Sequence, residues 1–114
     1  KTANDPYKDI KRKLAIQPEL FLVGVNGGQI VATVMAGYEG HRGWLNYHRF
    51  APDHQRGRLG RQMVAEAVMR LRALGCPKIN IQVRKSNAGV MGFYRKLGFT
   101  EDDVAGMGKR LEKD

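Results

Sequence analysis

Leu59, Met63, Val64, Ala67, Val68, Leu71 and Leu74 recur at i, i+3 and i+4 spacing through four helical turns, and Gly75 follows where a left-handed cap belongs. No other stretch limits the fold so tightly, because strand patterns flank it on both sides. Ahead of it, 44–50 reads as a strand between Gly43 and Pro52. Behind it, Ile79, Ile81 and Val83 alternate with Asn80, Gln82 and Arg84, a strand at 78–84. Strand, helix and strand in this order predict a right-handed crossover with the two strands parallel.

The remaining segments extend this unit. Asn4, Asp5 and Pro6 open a short helix over 6–15, with Ile10 and Leu14 on one face, which ends before Pro18. The apolar run Leu20 to Val25 stops at Asn26, Gly27 and Gly28, and a second run from Ile30 to Tyr38 completes an antiparallel hairpin. With 44–50 as the next strand this is a meander, and the sheet as a whole is mixed. Val90, Phe93, Tyr94 and Leu97 mark a second amphipathic helix closed by Gly98, and the tail at 104–111 has short strand character. No repeat or linker divides the 114 residues, so the expected architecture is one α/β domain, 1–114, of the α+β mixed-sheet type.

A net charge of +9 favours polyanions: nucleic acid, an anionic surface or a phosphate-rich cofactor. The lone Cys76 permits no intrachain disulfide, which points to the cytoplasm. No run approaches the length that spans a bilayer, and no grouping suggests a metal site.

The chemistry concentrates between the third strand and the long helix, in Gln55, Arg56, Gly57, Arg58, Leu59, Gly60 and Arg61. The first turn of a helix leaves backbone N–H groups without partners, and the macrodipole adds about half a positive charge, so a phosphate can be held there. Glycine allows close approach and arginine deepens the potential. The plainer alternative is a tight turn solvated by arginines.

This loop resembles the Q/R-x-x-G-x-G/A acetyl-coenzyme A signature of GNAT acetyltransferases. The stretch from Asn87 to Phe99 is similar to the same family's N-x-x-A-x-x-F-Y-x-x-x-G-F motif. NDP at 4–6, QPELFLVG at 17–24, GYEGHRGW at 37–44 and GCPKINIQVR at 75–84 look like the small bacterial YpeA-like branch, so the likeness spans nearly the whole chain. It implies a GNAT fold and direct acetyl transfer from acetyl-CoA to a primary amine, with the loop at 55–61 cradling the pyrophosphate. Phe50 and Asn87 join the cofactor contacts by the same likeness, and Tyr94 stands where relatives place the phenol that protonates the departing thiolate. Glu39 is the candidate base, with His41, Tyr47 and His48 as alternatives in the region that borders the cleft in relatives. Arg58 occupies a signature glycine position, with glycine displaced to Gly57. The cradle is kept there if residue 58 needs no positive φ, and strained by about 1–3 kcal/mol if it does.

Two other readings compete. The basic residues Lys8, Lys11, Arg12 and Lys13 fit a nucleic-acid or ribosome-associated module, although no aromatics interleave with them as a stacking platform requires. A GNAT-shaped protein without catalysis is the other. The likeness also predicts that a strand and helix normally ahead of the hairpin are missing here. The run at 20–25 is then a sheet edge, and a homodimer is its expected consequence.

Overall fold

In the computed structural model, which describes residues 6–50 and 57–112 without the side chains of 6, 7, 9 and 47–50, the first element is helix α1, Pro6–Ile16. The expected capping residues Asn4 and Asp5 lie outside the described residues. A 3-10 turn, Pro18–Leu20, leads into β1 (Phe21–Asn26), β2 (Gln29–Tyr38) and β3 (Gly43–Phe50). Helix α2 (Arg58–Ala73), β4 (Ile79–Ile81) and helix α3 (Ala88–Lys96) follow. The strands form one sheet ordered β1-β2-β3-β4, antiparallel except for β3 and β4, which run parallel. This is the expected mixed sheet.

The core lies on the face covered by α2. Leu22 of β1, Ala32, Val34 and Ala36 of β2, and Leu45 of β3 meet Met63, Val64, Ala67 and Leu71, with Tyr94 of α3 closing the same cluster. Period 2 on the strands and period 3.6 on the helix bring these residues together. Small residues set the spacing: a Cβ at Gly24 would come within 3.3 Å of both Leu59 Cδ1 and Met63 Sδ. Leu74, at the end of the predicted stripe, is 49% exposed, because the helix has turned away by its C-cap.

Both long-range helices end as their glycines foretell. Gly75 has φ +87, its N–H donates to the Arg72 carbonyl, and the Cys76 N–H donates to that of Leu71. Gly98, with φ +96, repeats the arrangement, and the Phe99 N–H reaches the Tyr94 carbonyl. This double bond is a Schellman motif. The accompanying apolar contact is the edge-on packing of Phe99 against Tyr94, ring centroids 5.3 Å apart.

On the opposite sheet face Gln17, the residue after α1, ties the chain to β2. Gln17 Nε2 donates to the Tyr38 carbonyl at 3.0 Å, while Gln17 Oε1 accepts from Lys13 Nζ at 2.8 Å and from the Tyr38 N–H at 3.4 Å. Because β1 pairs with β2 only up to Met35, the Gln17 amide serves Tyr38 as a neighbouring strand would. Among the described residues β1 is a sheet edge, and Val23, Val25 and Ile30 beside it are 46%, 60% and 65% exposed.

Two expectations are corrected. The strand at 78–84 is only Ile79–Ile81, since β4 pairs with β3 over just these positions. The tail at 104–111 is irregular, and all of 101–112 is exposed. Gly106 and Gly108 weaken strand formation there, and the tail is tethered instead by ion pairs at the surface, Lys78 to Asp102 at 3.1 Å and Arg12 to Glu112 at 2.7 Å.

Candidate active site

The β3–β4 pairing is short. Gly43, Trp44 and Leu45 pair with Ile79, Asn80 and Ile81, after which β4 ends while β3 continues to Phe50, bonded among the described residues to β2 alone. At about 3.3 Å per residue, some 16 Å of β3 backbone beyond Leu45 borders an opening rather than a strand. Because the two strands are parallel, the helices that follow them both begin at this open end of the sheet. A crevice at the carboxyl ends of parallel strands is where an open α/β sheet binds ligands.

Helix α2 begins at this opening with no side-chain cap among the described residues. Its N-cap, Gly57, has φ −107 and ψ −150 and carries no side-chain cap, and the first-turn bond runs from the Arg61 N–H to the Gly57 carbonyl. The N–H groups of Arg58, Leu59 and Gly60 are therefore the ones an intrahelical bond cannot serve. No acidic residue stands in the first turn, and Arg58 and Arg61 are exposed there. Gly60 is buried, and Leu59 is anchored over Gly24, so the turn's position is fixed by packing. Arg58 is the first helical residue, so its backbone needs no positive φ and the glycine displacement costs no strain at that position.

Helix α3 begins differently. Asn87 Oδ1 accepts the Val90 N–H at 3.2 Å, an ordinary N-cap. The side-chain amide is exposed, so Asn87 also presents a donor beside the opening.

Tyr94 is 4% exposed, with Phe93 edge-on at 5.0 Å and Phe99 at 5.3 Å. Burial raises its pKa well above the usual phenol value, because the phenolate would lose its hydration. Tyr94 belongs to the same buried cluster as Leu45, the last β3 residue paired to β4 and so the apex of the opening. Glu39 lies on the other side of that apex, in the turn between β2 and β3. Its carboxylate accepts the His41 N–H at 2.6 Å and is 58% exposed, with His41 Nδ1 4.0 Å away. The structure therefore brings Gly57, Arg58, Leu59, Gly60, Arg61 and Asn87 to one end of the sheet and keeps Glu39 at the other.

Gln55 and Arg56 lie outside the described residues, as do the side chains of Phe50, Tyr47 and His48. Sequence reasoning missed the unpaired backbone of β3 after Leu45. The signal available was the run of polar residues Asn46, His48 and Arg49, which crowd the second part of the strand after the apolar Trp44 and Leu45.

The chain matches the family described as "Acetyltransferase (GNAT) family" over residues 2–99. An acetyltransferase of Yersinia pestis is 45% identical over 111 residues, covering 97% of this chain and 79% of the relative. Among solved structures, the ribosomal-protein-S18-alanine N-acetyltransferase of Escherichia coli aligns with TM-score 0.68 at 28% identity, over 81% of this chain and 61% of that one. The PaiA N-acetyltransferase of Thermoplasma acidophilum, in complex with coenzyme A, has TM-score 0.79 at 17% identity, over 87% and 65% of the two chains.

Proposed function

Because the chain belongs to the GNAT acetyltransferase family, we propose that it transfers an acetyl group from acetyl-CoA to a primary amine by direct attack, with both substrates bound together. The observation that carries this reading is the uncapped N-terminus of α2 at the mouth of the opening between β3 and β4. Its donor set fits a pyrophosphate: the amides of Arg58, Leu59 and Gly60, which no intrahelical bond serves, and guanidinium groups at Arg58 and Arg61. Gln55 and Arg56, and Phe50 at the end of β3, complete the cofactor contacts in this proposal, with Asn87 donating from the far wall.

Acetyl-CoA supplies an activated thioester. The unpaired β3 backbone beyond Leu45 offers N–H and C=O groups to an extended ligand, as an open sheet edge does to an added strand. Tyr94, held neutral by burial, donates its proton where thiolate charge develops. Glu39 removes the proton from the acceptor amine. The three paired positions between its turn and the apex amount to about 10 Å, beyond direct hydrogen-bond reach, so a relay of waters is part of this proposal.

We place the chain as one domain around one core, acting in the cytoplasm, where Cys76 persists as a thiol. The exposed edge at β1 favours association of two copies, which light scattering at micromolar concentration tests. The reaction itself is tested by titrating acetyl-CoA calorimetrically and following thiol release with a panel of amines. Binding with amine-dependent thiol release is expected, and absence of binding overturns the reading.

A further inference from the structure

Helix α1 turns one stripe of side chains inward. Ile10, Lys13 and Gln17, at i, i+3 and i+7, are the half-buried positions of this segment, and a Cβ at Gly37 would lie 3.4 Å from Lys13 Nζ and 3.7 Å from Gln17 Oε1. Ala36, the neighbour of Gly37 on β2, is buried in the core with α2, so α1 stands over the opposite face of the sheet. Lys8, Lys11, Arg12, Ala15 and Ile16 occupy the outward arc of the helix, and all five are exposed.

Arg12 pairs with Glu112 at 2.7 Å, which brings the end of the tail against this outward arc from 100 positions away in the chain. Lys109, Arg110 and Leu111 directly precede Glu112 and are exposed, and at about 3.3–3.6 Å per residue their backbones lie within about 11 Å of it. The two segments together carry Lys8, Lys11, Arg12, Lys13, Lys109 and Arg110 against Asp9 and Glu112, a clear excess of positive charge. Among these cations stand two aliphatic side chains in water, Ile16 at 76% exposure and Leu111 at 90%. The sheet separates this surface from the first turn of α2, since α2 packs on the other face.

We propose that this face, the outward arc of α1 with the end of the tail, docks the protein peripherally on an anionic bilayer, with Lys8, Lys11, Lys109 and Arg110 at the headgroups and Ile16 and Leu111 entering the interface beside them. No helix among the described residues is long and apolar enough to cross a membrane, so the association is with the surface. A cluster of about four to eight Lys and Arg is the pattern that anionic headgroups attract. A lipid surface takes both kinds of side chain found here: it draws the cations electrostatically and removes the aliphatic groups from water. A nucleic-acid backbone attracts the same cations but gives Ile16 and Leu111 no apolar surface to enter. The proposal is independent of the acetyltransferase reading.

The test is co-sedimentation of the full chain with vesicles of phosphatidylcholine alone and of phosphatidylcholine mixed equally with phosphatidylglycerol, at low and high salt. The mixed vesicles should bind at least about tenfold tighter than the neutral ones and lose most of that advantage at high salt. Lys11→Glu with Lys109→Glu should weaken binding to the mixed vesicles at least about tenfold, and Ile16→Ser with Leu111→Ser should weaken it about tenfold. Both pairs alter exposed side chains, so circular dichroism should match that of the parent. Equal binding to the two vesicles, or no response to the charge pair, would overturn the proposal. A response to the charge pair alone would overturn it too, and a single-stranded RNA oligonucleotide followed by anisotropy then shows whether nucleic acid takes the face instead.

Discussion

Replacing Tyr94 by phenylalanine separates what its ring does from what its hydroxyl does. The ring is 4% exposed and packs edge-on against Phe93 and Phe99, at interplanar angles of 83° and 77°, and the substitution keeps all of that surface. What is lost is one buried hydroxyl, worth about 0.5–1.5 kcal/mol of stability. A proton donor is worth about 10²–10⁴ in rate, so turnover should fall by at least about a hundredfold while acetyl-CoA affinity changes by less than about threefold. The phenol's raised pKa gives a second readout. Its folded value lies above the unfolded value of about 10, so the native state keeps a proton that the unfolded state has lost once the pH exceeds about 10. That stability is fully present below about pH 10 and declines above it, with a limiting slope near 1.4 kcal/mol per pH unit, and Tyr94→Phe should lack the decline. Lys13 contributes with the opposite sign, since burial lowers its pKa, but it is common to both proteins and cancels in the difference. Urea unfolding at about pH 9, 10 and 11 measures the slopes, and thiol release measures turnover. Turnover within about twofold of the parent would assign Tyr94 to the core alone, and parallel pH slopes would refute the burial argument.

Arg58→Ala and Arg61→Ala should each weaken acetyl-CoA binding by about three- to tenfold at low salt and much less at high salt, since each removes one exposed cation from the phosphate site. Salt-independent losses in calorimetry would mean the guanidinium groups act by packing. Gly43→Ala should destabilise by about 1–3 kcal/mol, because the new Cβ would fall 2.7 Å from Cys76 Sγ and 3.2 Å from Leu71 Cδ1. Adding Cys76→Ala should recover about 0.5 kcal/mol or more, and strict additivity in chemical denaturation would show that the clash lies elsewhere.

What the sequence displayed openly was whatever depends on residues near one another in the chain. The α2 stripe with Gly75, the α3 stripe with Gly98, and the Asn26–Gly28 turn each carry their own stop signal, and each element formed within one or two residues of its expected bounds. Long-range choices were not written locally. Ile79, Ile81 and Val83 alternate perfectly, yet only the first two belong to β4, because pairing depends on where β3 diverges. Val104 and Leu111 suggest a strand, but nothing in the tail's own sequence supplies a bonded neighbour. The Gln17 clamp on Tyr38 spans twenty-one positions through a side-chain amide, a bond that no periodicity announces. At the candidate site, Asn87 was equally legible as a cap or a ligand, and the Val90 N–H resolved the cap.

A net charge of +9 names no partner, but its placement on α2 does. The helix dipole favours cations at a C-terminus and opposes them at an N-terminus, each by about 0.3–1 kcal/mol. Arg70 and Arg72 in the last turn are therefore where the helix itself prefers them, and Arg70 is further satisfied by Glu66 at 2.8 Å and by the Glu19 carbonyl. Arg58 and Arg61 stand at the opposite end, with no acidic residue in the first turn, beside amides that no intrahelical bond serves. Local stability gives no reason for that arrangement, since Asp or Glu at either position would strengthen the helix. An anion at the α2 N-terminus, as proposed, would reverse the sign, accepting from first-turn amides and offsetting the charge of both guanidinium groups. If the proposed pyrophosphate binds there, the first turn of α2 gains from it the counter-charge that its own sequence withholds.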